Sequence, residues 1–173
     1  MGTGLEDLRI FQLAEELGAV VWGATKRWGR FERNTVGEQL VRAADSIGAN
    51  IAESYGRYHY GEKLRFLYYA RGSLFESRFW LRQSFRRDLL QEEEITAIID
   101  ILEPLAIGIN NFARSIRNQQ SAPKDSSSDV MIKEESQAYG NVPISKSHNL
   151  PISSDKELFS KEEISWLINI NAS

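Results

Sequence analysis

The side chains that catalysis draws on most often are scarce here. His59 and His148 are the only imidazoles, and cysteine is absent, which excludes disulfides, thiolate metal sites and a cysteine nucleophile. Neither histidine has a second ligand at metal-binding spacing. Glu53 and Glu62 flank one turn and have the right type for general acid and base work, or for ligating a pair of metals. Di-metal bundle sites, however, add an inward-facing Glu-x-x-His motif from neighbouring helices, and no such companion is present. No catalytic residue, metal ligand or cofactor site is expected.

Binding chemistry is better represented. Lys26, Arg27, Arg30 and Arg33 crowd around a single acid, Glu32, and a turn carries Arg57, Tyr58 and His59. Bases neutralise phosphates and rings stack on nucleobases, so these seven residues are the candidate contacts to RNA or DNA. The opposing reading is a solvated charged face: the pI is near 5.5, and no RNA-binding module signature is present. Asn50 and Glu53 have structural readings of their own, in fixing helix register and in pairing with Arg42 or Arg57.

The elements that position these residues follow from apolar spacing. Leu8, Phe11, Ala14, Leu17, Val21, Ala24 and Trp28 lie on one stripe of a helix from Leu5 to about Trp28. Gly29 is its expected C-cap, and Asn34 or Thr35 the N-cap of a second helix that ends near Tyr55, with Gly56 in the left-handed conformation. Leu40, Ala43, Ala44, Ile47, Ile51 and Ala52 form the stripe of that second helix. Small residues at Ala44, Gly48 and Ala52 admit a close neighbour. A fourth helix, from Glu92 to about Arg117, has its own stripe from Ile95 to Ile116 and contains Pro104, where a bend is expected.

The third helix, opened by Gly61 and Glu62 and closed at Asp88 to Leu90, has too many apolar residues for one stripe. Leu67, Ala70, Leu74, Ser77, Leu81 and Phe85 make the expected core face. Beside it lie Tyr68, Arg71, Phe75, Arg78, Phe79, Arg82 and Arg86, an alternation of rings and guanidinium groups. Aromatics and arginine are enriched at protein interfaces, so this second face is expected to meet another protomer.

The stretch QLVRAADSIGANIAES, then Gly56-Arg57, Glu62, Phe66-Leu67, Ala70 and Gly72-Ser73-Leu74 with Glu76, resembles the signature of the 23S rRNA intervening-sequence proteins. That family is similar to the accessory variability proteins of diversity-generating retroelements. Ser54 stands where the family pattern has Gly, and Gly48 where it has Pro. The resemblance spans roughly Leu5 to Arg117. It implies an antiparallel up-down-up-down four-helix bundle that closes into a homo-oligomeric ring, a pentamer in known members, with no established catalytic activity. A reverse transcriptase is the partner it suggests.

The whole chain fits one all-α domain over residues 1–120, a disordered linker over 121–155 and a short apolar segment over 156–173. Residues 121–173 carry five bases against eight acids, whereas the preceding part is balanced. Ser160 and Glu163 are spaced for a capping box. With no leader and no apolar run near the length of a membrane span, the protein is expected to be cytoplasmic with no membrane partner. The expected function is a non-enzymatic ring-forming scaffold that contacts nucleic acid or a nucleic-acid enzyme. The alternative is an adaptor that docks a protein client through the C-terminal segment; a third reading folds that segment back on its own bundle.

Overall fold

The computed structural model describes residues 4–121 and 159–170. Four long helices fill the first stretch: α1 (Arg9–Thr25), α2 (Glu38–Gly56), α3 (Tyr60–Phe85) and α4 (Glu92–Ser121). A fifth, α5, covers Lys161–Ile168. Helix α1 packs against α2 and α4, and α3 packs against the same two. Short turns join them, so consecutive helices alternate in direction and the fold is the expected all-α antiparallel bundle. The expected linker lies outside the described residues except for Ser121, which ends α4.

The apolar stripes are buried as their spacing requires. Leu17, Leu40, Ile47, Ile51, Leu67, Leu74, Leu102, Leu105 and Ile109 are all fully enclosed. Helix α4 is long and apolar enough, by composition, to cross a bilayer. In the bundle it is a core helix, with Ile95, Ile98, Leu102, Leu105, Ile109 and Ile116 buried. It runs without interruption through Pro104.

Local chain geometry corrects three expectations. Gly29 does not end α1 in the left-handed region: it has φ −58° and ψ 161° and stands ahead of a helical turn, Arg30–Glu32. A π-helical segment, Arg33–Gly37, then leads directly into α2. Asn34 and Thr35 therefore lie inside helical backbone, where the Thr35 hydroxyl donates back to the Phe31 carbonyl (2.8 Å) and caps nothing. Gly56 is the last residue of α2, no described glycine has positive φ, and Arg57 leaves the helix extended (φ −80°, ψ 145°). The end of α2 is held by Ser54, fully buried, whose hydroxyl donates to the Lys63 carbonyl across the turn (2.9 Å). The left-handed residue is Asp88 (φ 55°), which turns the chain after α3.

Gly48 packs α2 toward α1, but without need of its missing side chain. A Cβ built there would lie 3.5 Å from Ala14 Cβ, an ordinary contact. Gly48→Ala is accordingly expected to raise stability by about 0.5–1 kcal/mol, the helix-propensity difference, measured by urea unfolding. Closer approaches occur at Gly18, beside Asp45, and at Gly108, where a Cβ would lie 2.5 Å from Ile10 Cγ2.

Candidate functional site

The fold separates the candidate nucleic-acid residues into two groups. Lys26, Arg27, Arg30 and Arg33 sit where α1 passes into α2, and Arg57, Tyr58 and His59 sit where α2 passes into α3. These turns are at opposite ends of the bundle, since the 19 residues of α2 alone span about 28 Å. The first group shares its end with the start of α4, as the Arg27–Glu94 ion pair shows. Lys26, Arg30 and Arg33 are exposed and make no ion pair among the described residues. In the second group Arg57 pairs with Glu53 and lies 4.7 Å from the Phe66 ring centre, while Tyr58, 81% exposed, meets His59 edge to face. Glu53 and Glu62 are both exposed, and no group of three or more potential metal ligands occurs among the described residues. Asn50 donates to the Ser46 carbonyl (2.7 Å) and hydroxyl (3.1 Å), and Ser73 donates to that hydroxyl from α3 (3.0 Å). This polar contact links α2 to α3.

Two rings missed in the sequence join the first group. Trp22 is 60% exposed and Phe31 is 76% exposed. Trp22 stands one turn before Lys26 on the outer side of α1, and Phe31 lies between Arg30 and Arg33. The available signal was that Trp22 falls off the Leu17, Val21, Ala24 stripe and so cannot belong to the core.

The second face of α3 is occupied from within the chain. Phe75 stacks on Phe159 (ring centres 5.7 Å apart) and meets Trp166 at a tilt (5.4 Å), Arg71 pairs with Glu163, and Arg78 lies 3.4 Å from the centre of the Trp166 ring. Arg78 Nε donates to the Trp166 carbonyl (2.6 Å) and Nη2 to the Asn169 carbonyl (3.1 Å). A helix leaves its last carbonyls without internal partners, and a cation is the favoured group there. Arg78 thus caps the C-terminal end of α5, while Arg71 holds an acid of its first turn. The spacing matches: seven residues of α3 rise about 10 Å, and the six steps from Glu163 to Asn169 about 9 Å, so α5 runs in the same direction as α3.

The remainder of that face is less covered. Tyr68 is half-buried, its hydroxyl 3.5 Å from Arg117 Nη2; Phe79 is 49% exposed beside Trp80; Arg82 is half-buried and Arg86 exposed. Burial first, then the like charge of Arg82, lowers the Arg78 pKa from the usual arginine value. The α5 N-terminus carries the expected capping box. Ser160 Oγ accepts from Glu163 N (3.1 Å), and Ser160 N donates to the Glu163 carboxylate (2.9 Å).

Asn110 is a further contributor that periodicity did not mark. It sits among the buried residues of α4, and its side-chain amide exchanges two hydrogen bonds with the backbone of Phe159, each 2.7 Å. The available signal was its place on the inner side of α4, four residues after Ala106 and three before Ala113, because an amide buried there needs partners.

Comparison with protein families gives a match of residues 6–111 to the family model described as 23S rRNA-intervening sequence protein. A comparison with characterised proteins gives no match. The matched span covers the bundle as far as the middle of α4 and leaves α5 outside it.

Proposed function

Since the chain belongs to the 23S rRNA-intervening sequence protein family, we propose that it acts as a non-enzymatic cytoplasmic scaffold that associates into a ring and holds nucleic acid at the ends of its bundles. The observation carrying the nucleic-acid part is the α1–α2 end, where Trp22 and Phe31 stand exposed among Lys26, Arg30 and Arg33. Rings that face solvent beside exposed cations supply both stacking and phosphate neutralisation. A ring repeats such a modest site once per subunit, which converts weak contacts into strong ones. The ring and its five subunits come from the resemblance to the intervening-sequence family, and a reverse transcriptase client from that family's similarity to retroelement accessory proteins. The surface left for self-association on α3 is the part α5 does not cover, centred on Phe79 with Arg86.

Light scattering at micromolar concentration is expected to give a mass several times the 19.7 kDa chain. Phe79→Ser is expected to reduce that mass with helicity retained, and a monomeric wild-type chain would remove the ring. For nucleic acid, the measurement is single-stranded RNA binding as a function of salt. Converting Lys26, Arg30 and Arg33 to Glu is expected to lower the slope of log K against log salt by about 2, from three lost phosphate contacts. Arg57→Glu with Tyr58→Ser is expected to act independently on short oligonucleotides, because the two ends lie too far apart to share one. Unchanged binding in both variants excludes these residues as the contact. The adaptor reading, without nucleic acid, predicts no RNA retention at any salt concentration and loss of a protein client on truncation after Gln120.

A further inference from the structure

The groove between α3 and α4 holds residues 159–170 as a receptor holds a peptide. Asn110, only 6% exposed, reads the Phe159 backbone by donating to its carbonyl and accepting from its N–H. The Phe159 side chain is fully buried against Phe75, with the Arg71 guanidinium 5.5 Å from its ring centre. Arg71 then selects the acid at Glu163, and Arg78 takes the carbonyls at the far end of α5. A backbone-reading amide, an enclosed aromatic anchor and a charge at each end of the ligand helix form a complete recognition set.

Nothing in that set depends on the covalent connection to α4. An isolated eight-residue helix is too short to be stable in water, so the order of α5 derives from the groove. The stretch from 122 to 158 adds 37 residues between the two, enough to extend at most about 130 Å, against roughly 45 Å for the length of α4. That length lets the segment reach a groove beyond its own. We infer that the α3–α4 groove is a peptide-recognition site and that it accepts the C-terminal segment of a second copy of this chain in place of its own.

The probe is a fluorescent synthetic peptide of residues 156–173, followed by anisotropy against full-length protein. In the Phe159→Ala chain the resident segment loses its anchor and vacates the groove. That chain is expected to bind the peptide at least tenfold more tightly than wild type, where the tethered segment competes. Arg71→Glu, added to the Phe159→Ala chain, is expected to abolish binding, and Glu163→Arg in the peptide to restore it. Circular dichroism of each variant verifies that the bundle is folded. A folded Phe159→Ala chain that takes up no peptide overturns the proposal, and so does uptake that is indifferent to Arg71→Glu or not rescued by the reversed pair. These outcomes are independent of RNA binding, so the groove and the nucleic-acid reading stand or fall separately.

Discussion

Phe159→Ala is expected to release the C-terminal segment while the four-helix bundle stays folded. Phe159 is fully enclosed, and truncating such a ring costs about 3–5 kcal/mol. What remains to hold the segment is the partly exposed Arg71–Glu163 ion pair, the buried Arg78 against a half-exposed tryptophan, the Ile170 side chain and four hydrogen bonds from Arg78 and Asn110. Fixing a backbone opposes them at about 1–2 kcal/mol per residue, over the eight residues of the helix alone. Limited proteolysis is the direct measurement: cleavage within 159–170 should accelerate more than tenfold, while the bundle's thermal midpoint changes little. Loss of all helicity would mean instead that the segment is an integral part of the core.

Leu74→Ala, by contrast, should weaken the whole molecule. Leu74 lies on the inner face of α3 with no exposure, and Leu to Ala at such sites costs about 2–5 kcal/mol. Its neighbour Phe75 points to the other side, against Phe159 and Trp166. Phe75→Ala is therefore expected to reproduce the proteolytic sensitivity of Phe159→Ala and to shift the global urea midpoint far less than Leu74→Ala. Two adjacent residues thereby separate bundle stability from segment docking. Equal global shifts would contradict the assignment of two distinct faces to α3.

The contrast between these faces also indicates what periodicity can reveal. On α2 and α4 one apolar stripe meets the bundle core, and most residues named from spacing are buried, with Ala52 half-buried. On α3 the excess of rings and arginines was a genuine sign of a second contact, but the sequence does not state which surface supplies it. The covering residues come from more than eighty positions downstream and meet Arg71, Phe75 and Arg78. Asn110 was overlooked because helical spacing ranks apolar residues, whereas its contribution is hydrogen bonding to a distant backbone. Composition puts Lys26 to Arg33 and Arg57 to His59 in one set of candidate contacts because it carries no direction. Alternating helices send the two turns to opposite ends. The Gly29 to Thr35 stretch contains residues that commonly interrupt helices, yet local backbone bonds from Thr35 and the wider π turn carry the helix through them.

That π segment also sets the rotational phase of what precedes it. Stepping back from Leu40 in regular α turns brings Val36 and then position 33 onto the inward side, and Val36 is buried. A π turn uses about one extra residue, so across Arg33–Gly37 the side chains drift out of phase with an unbroken α-helix. Arg33 accordingly faces water, where a strict α register would aim a guanidinium at the interior. A single-residue phase slip thus separates the hydrophobic addressing of α2 from the polar addressing of the turn before it.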